Sequence, residues 1–197
     1  MKKPRVSIIK DNIEKGIQVP NFDNDCSVGQ WIDQEMAKKG HTIDHTGLVD
    51  LPEFKVDNKT RKKGSKAPHT VGSMTISDII KTKKWEDTRF YHKTQNQNQV
   101  EWDPDFLEIT GVKIVDMDID LIQENLAEGY EDVRAQLEAQ VKAGTFTKGI
   151  KSKNGWVILD GWGHSNSRRM RIPHKVMEKI KSISRIRDSI KQNFDIS

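Results

Sequence analysis

Asp50 is followed seven residues later by Asp57 and then by Lys59, in the run Asp50-Leu51-Pro52-Glu53-Phe54-Lys55-Val56-Asp57-Asn58-Lys59-Thr60. The six intervening residues allow the chain one turn, so that Asp50 closes one strand while Asp57 and Lys59 lie on the next. Residues i and i+2 of a strand share a face, so Asp57 and Lys59 are expected to project together. Two carboxylates beside an ammonium group suit phosphodiester hydrolysis. Hard oxygen ligands of this kind hold Mg²⁺, with Mn²⁺ able to substitute, and a lysine can orient water and offset phosphate charge. The same spacing is also compatible with a solvated charged hairpin, since Asp and Lys are common in turns. A second register, Asp44 with Glu53 and Lys55, also gives an Asp followed by Glu-x-Lys, although Pro52 then falls awkwardly in a paired strand.

The elements that must position these residues follow from periodicity. Ser27 is a candidate cap for a helix from Val28 to Lys39 stopped by Gly40, with Val28, Trp31, Ile32 and Met36 at helical spacing. His41 to His45 and Val49 to Thr60 read as strands about a Thr46-Gly47 turn, and Lys62 to His69 as a basic loop. Thr70 to Ile80 starts extended and enters a short helix near Ser77. Glu86 to Trp102 holds another strand, and its polar stretch Gln95-Asn-Gln-Asn-Gln reads as a loop or edge. Val112 to Ile119 is strand-like. Leu121 to Lys142 is the longest helical pattern, with Leu126, Tyr130, Val133 and Leu137 at three- and four-residue steps. Phe146 to Ile150 and Trp156 to Leu159 suggest a hairpin about Asn154-Gly155, and His174 to Phe194 a basic terminal helix. The expected fold is α/β: a central mixed sheet of about five strands flanked by helices, with Asp50 and Asp57 on adjacent central strands.

Composition narrows the function class. The 197 residues suffice for one domain. A single Cys26 excludes an intramolecular disulfide framework or a Cys-rich zinc site and points to a reducing compartment. No apolar run approaches a membrane span and Met1-Lys-Lys-Pro-Arg lacks a secretion-signal core, so a cytoplasmic protein without membrane association is expected. Charge is unevenly distributed. Acidic residues dominate between Glu101 and Glu138, whereas from Lys148 to Lys191 twelve Lys or Arg stand against Asp160, Glu178 and Asp188. A second basic cluster, Lys59 to Lys66, follows the carboxylate motif directly. Basic surface flanking such a site suits a polyanion, with Arg61 and Lys63 in one cluster and Arg168, Arg169 and Arg171 in the other as candidate phosphate contacts. His41, His45 and His92 are candidates for proton transfer.

Val28-Gly29-Gln30-Trp31-Ile32-Asp33 resembles the Val-Gly-Gln-x-x-Glu helix of MutH-type endonucleases, members of the PD-(D/E)xK nuclease superfamily. The run from Asp50 to Thr60 is similar to that family's Asp-Phe-Pro-Glu-x-x-Val-Glu-x-Lys-Thr, with Asp57 in place of the usual Glu, shorter by one carbon–carbon bond of about 1.5 Å. Phe90-Tyr91-His92-Lys93 resembles the segment carrying the family's second active-site lysine. Tyr130-Glu131-Asp132-Val133, Gly155 to Leu159 and Trp162-Gly163-His164-Ser165-Asn166 resemble its long helix and DNA-contacting hairpin. The resemblance spans roughly residues 27 to 170. It implies a single endonuclease domain over 1–197, with a catalytic core at about 27–120 and a basic DNA-contacting part at about 145–197. It implies that Asp50 and Asp57 bind Mg²⁺, that Lys59 and Lys93 act at the phosphate, and that Asp33 or Glu35 supplies the helix carboxylate. Trp162, His164 and Asn166 would lie against DNA. The implied activity is sequence-specific cleavage of double-stranded DNA in the manner of a type II restriction enzyme, for which a homodimer would provide two sites. A mismatch-repair nickase activated by a partner and a non-catalytic DNA-binding module remain open.

Overall fold

The computed structural model describes residues 25–38, 40–106, 108–161 and 165–188. These fall into two compact units, one of the described residues within 25–65, 96–116 and 185–188, the other of those within 66–95 and 117–184. The architecture is α/β, with a mixed sheet in the first unit, an antiparallel sheet in the second, and helices flanking both. Among the described residues no helix is long and apolar enough to cross a membrane.

The first unit holds helix α1 (Asp25–Lys38) and strands β1 (Asp57–Lys62), β3 (Asn96–Asp103), β4 (Glu108–Asp116) and β8 (Arg185–Asp188). The sheet order is β1-β3-β4-β8, with β1 and β3 parallel and the other pairs antiparallel. Val28 and Ile32 of α1, four residues apart, bury against Leu51, Val100, Trp102, Ile109 and Val112. The helix already includes Asp25, Cys26 and Ser27, ahead of the expected start at Val28, and Gly40 beyond its end has φ +86°.

Several expectations are corrected in this unit, beginning with two strand assignments: His41 to His45 form no strand and Asp50 lies on none. Among the described residues the mixed sheet has four strands rather than about five, with β1 at the end of their order rather than its centre. The stretch from Val49 to Thr60 is not one strand, because Pro52–Phe54 forms a 3-10 turn between Leu51 and Val56. The polar run Asn96 to Gln99 is no loop: it opens β3, an inner strand paired on both sides, with Gln97 and Asn98 fully buried. Val100 and Trp102 continue the same strand into the core, and their burial holds the polar half in place.

The second unit comprises β2 (His69–Thr75), α2 (Ile76–Lys81), α3 (Arg89–Gln95), α4 (Asp120–Ala143), β5 (Gly149–Lys151), β6 (Ile158–Asp160), β7 (Ser167–Ile172) and α5 (His174–Ile183). Its sheet runs β2-β7-β6-β5. The stripe Ile122, Leu126, Tyr130, Val133 and Leu137 along α4 is fully buried, as the spacing predicts. Gly144 ends this helix at φ +66°, its N–H bonded to the Val141 carbonyl. The expected hairpin about Asn154-Gly155 forms as β5 and β6, whereas β7 is a strand that periodicity did not reveal. The terminal helix stops at Ile183 rather than Phe194. Ser184 is extended and residues 185–188 pair with β4, a strand partner competing successfully with helical propensity.

Candidate functional site

The site is organised about the start of β1. Leu51 and Val56 exchange two backbone hydrogen bonds of 3.0 and 3.3 Å across the 3-10 turn. That bridge is isolated: Asp50 precedes it on a bend and Asp57 follows it as the first residue of β1, so the turn brings the two ends of the motif back toward each other without a continued ladder. The segment before the turn is held by the Asp44 N–H, which donates to the Asp50 carbonyl at 3.0 Å. Among the described residues β1 has a strand neighbour on one side only, so its far-side N–H groups lie outside that ladder. The Asn58 N–H is taken by Asp50 Oδ2 at 3.0 Å.

Asp57 is fully buried and its Oδ2 meets the Lys59 ammonium, two residues on along the same face. The opposite face of β1 meets α1. Gly29 lies over Thr60, where a Cβ would stand 3.3 Å from the Thr60 hydroxyl. Four residues on, Asp33 lies over Asn58 and accepts from its amide at 2.8 Å. Four helical residues rise about 6 Å and two strand residues about 6.6 Å, so the row Gly29–Asp33 keeps pace with Thr60–Asn58. Asp33 also stands 3.9 Å from His45 Nε2.

Burial raises the Asp33 carboxyl above its ordinary value; the Asn58 amide opposes this, the Asp50 charge adds to it, and His45 and Lys59 pull it down. These influences place Asp50, Lys59 and His45 each within electrostatic reach of Asp33. Asn98, across the parallel register from Asn58, donates to Asn58 Oδ1 at 3.2 Å. Sequence reasoning missed Asn58, Gln97 and Asn98. The spacing around Asp57 drew attention to charges, and a buried amide leaves no hydropathy signal.

The second register is arranged differently. Asp44 Oδ1 accepts from the Thr46 and Gly47 N–H groups at 2.9 and 2.7 Å, closing its own turn. Glu53 is exposed in the 3-10 turn and accepts from the Thr42 hydroxyl, and Lys55 adopts φ +52°. These Asp44 and Glu53 bonds lie within the stretch from Thr42 to Glu53. Glu35 lies on α1, its side chain outside the described part.

Lys93 belongs to the second unit, on α3. It is buried and its stem crosses Gly72 of β2, where a Cβ would come within 2.9 Å of Lys93 Cδ; only glycine leaves that passage open. His92, beside it, stacks edge-on with Tyr91. His41 is buried in the first unit.

The basic residues divide by burial. Arg61 Nε donates to the Ser65 carbonyl at 3.1 Å, and Lys63 lies 3.4 Å from Asp103. Burial would raise the Asp103 carboxyl, but the Asp105 and Phe106 N–H groups and Lys63 outweigh it and hold it below the usual range. Arg168 is buried, donates to the Ser165 and Ser167 carbonyls at 2.9 and 3.0 Å, and lies over the Phe146 ring. Arg169 and Arg171, on the other face of β7, share Asp160 at 3.1 and 3.0 Å. Asn166 is exposed and its carbonyl accepts from the Ile76 N–H. Trp162 and His164 lie outside the described residues.

Among the described residues no group of three or more His, Cys, Asp or Glu side chains is arranged to hold a metal ion. No family model matches the chain, and no curated protein matches it either.

Proposed function

We propose that this chain is a Mg²⁺-dependent endonuclease of duplex DNA with a PD-(D/E)xK-type core, cutting in the manner of a type II restriction enzyme. The observation that carries the reading is the gathering of Asp33, Asp50 and the buried Asp57–Lys59 pair about the start of one strand. Mg²⁺ typically takes one or two protein carboxylates and completes its shell with water and substrate phosphate oxygens. Two aspartates, one of them buried with its charge already matched by an ammonium, suit that habit without a third protein ligand. Asp50 and Asp57 would hold the ion. Bound there, it would supply acidification of a water and polarisation of the scissile phosphate.

The protein's own groups do the rest. Lys59 positions the attacking water and balances the negative charge on the non-bridging oxygens of the pentavalent transition state. Asp33 or Glu35 would hold a second ion or the water shell of the first, and the family resemblance assigns Lys93 to a phosphate oxygen. Arg61, Lys63, Arg169 and Arg171 are the phosphate contacts of a duplex, Asn166 and His164 are assigned to base edges, and Trp162 is assigned to the DNA-contacting stretch. Arg168, buried on backbone carbonyls, holds the preceding loop. Two copies of the chain would supply the two sites that double-strand cutting requires.

The deciding experiment incubates the purified protein with unmethylated phage DNA in Mg²⁺ or Mn²⁺ and sequences the ends. Discrete double-strand fragments support the restriction reading. Slow nicking alone assigns the chain to strand-specific repair, and tight duplex binding without cleavage in either metal makes it a binding module.

A further inference from the structure

Asn58 stands between Asp57 and Lys59 in sequence but points away from them, since neighbouring strand residues face opposite sides. It touches two carboxylates by two different groups. Its backbone N–H donates to Asp50 Oδ2 at 3.0 Å, and its side-chain Nδ2 donates to Asp33 Oδ1 at 2.8 Å. Those carboxylates come from unrelated segments, one from α1 and one from the arm before the 3-10 turn, and they repel one another. An ionised carboxylate only accepts hydrogen bonds, so Asn58 must present its NH₂ group to Asp33. What makes it do so is Asn98, fully buried on β3, whose Nδ2 donates to Asn58 Oδ1 at 3.2 Å. The chain Asn98 to Asn58 to Asp33 therefore has one direction, with each amide donating toward the acid.

We propose that Asn58 is the positioning residue of this site, holding Asp33 and Asp50 together, and that Asn98 sets the direction of its amide. The proposal rests on the carboxylate site described above. It assigns function to the residue between the two motif charges and to a strand of buried amides. A leucine at position 58 would keep the N–H to Asp50 but remove the donor to Asp33. An aspartate at position 98 would accept only, so that Asn58 must turn its NH₂ toward β3 and its oxygen toward Asp33, opposing two acceptors.

The test compares the full chain with Asn58→Leu and Asn98→Asp by calorimetric titration with Mn²⁺ alone, duplex cleavage, duplex binding and side-chain amide NMR. Partners that orient ligating carboxylates typically account for about 10- to 100-fold in metal affinity or activity. Both variants are expected to bind Mn²⁺ at least about tenfold more weakly and to lose a similar factor in kcat. Duplex affinity should stay within about twofold, because phosphate contacts dominate it. The Asn58 amide proton pair should be protected from solvent exchange in the parent chain and should shift in Asn98→Asp. Circular dichroism checks folding, and Asn58→Ser replaces the leucine variant if that one fails to fold. Parent-like Mn²⁺ affinity in a folded variant at position 58, or an Asn58 amide exchanging like an exposed one, overturns the proposal. Absence of Mn²⁺ binding by the parent chain overturns it too. A parent chain that binds Mn²⁺ but cuts no duplex removes the nuclease reading, while weakened Mn²⁺ binding in the variants still upholds the role of Asn58.

Discussion

Asp57 has no exposed surface, and its Oδ2 is neutralised by Lys59, which reaches it from two residues away. Removing one partner of a buried pair leaves an uncompensated charge, at a cost of about 3–5 kcal/mol. Lys59→Ala should therefore lose about 3 kcal/mol of stability at neutral pH as well as all cleavage. Adding Asp57→Asn to it should restore most of the stability and none of the cleavage, measured by urea unfolding and a plasmid assay. Asp33 makes a pH-dependent contribution. Its carboxyl is raised above the ordinary 3.8, first by burial and then by the Asp50 charge, against the Asn58 bond and the His45 and Lys59 charges. The folded state then binds the proton more tightly than the unfolded one. Its stabilising effect is complete below 3.8 and is lost as pH rises through the folded value. Asp33→Asn removes that loss, so its melting temperature relative to the parent should improve from pH 3.5 to pH 7, as read by thermal melts.

At the scale of elements, the turn between Asp50 and Asp57 contains a backbone cost. Lys55 is the one described non-glycine residue with positive φ, at 52°, and the left-handed region costs an L-residue about 1–2 kcal/mol. Lys55→Gly should stabilise the protein by up to about 1 kcal/mol in chemical denaturation and cleave at the parent rate. Loss of cleavage in that variant would instead support the register built on Asp44, Glu53 and Lys55. In the second unit, Tyr130 ties α4 to the end of α2. Its hydroxyl lies 3.2 Å from the Ile79 carbonyl and 2.8 Å from that of Thr82, and burial pushes its pKa up to about 12. Tyr130→Phe should cost about 1–2 kcal/mol, since carbonyls are left without their donor, with a matching drop in melting temperature.

At the scale of the whole molecule, the net charge of +4 conceals two basic stretches on either side of an acidic one. Asp160 moderates the second. It binds Arg169 and Arg171 together and so orients both while cancelling part of their charge. Asp160→Asn should tighten binding to a non-specific duplex at low salt, in fluorescence anisotropy. Arg169→Ala and Arg171→Ala should each lower the slope of log affinity against log salt by about 1, because each released phosphate contact contributes about 0.9. An unchanged slope would remove β7 from the DNA interface.

The pattern of residues determined the local pieces of this protein. The stripe along α4, the helix carrying Asp33, the hairpin at Asn154-Gly155 and the Asp50–Asp57–Lys59 spacing are all legible because they follow from periods of 3.6 or 2 and from turn chemistry within a few residues. Tertiary structure decided the rest. Asn96 to Gln99 form an inner strand because Val100 and Trp102 must bury and because parallel pairing with β1 supplies their backbone partners. Residues 185–188 leave the helical pattern because β4 offers an edge. Asn58 becomes a partner of two acids because a helix and a strand with closely matched rise bring Asp33 over it. Each of these outcomes rests on pairing between residues far apart in the chain, which local propensity does not encode.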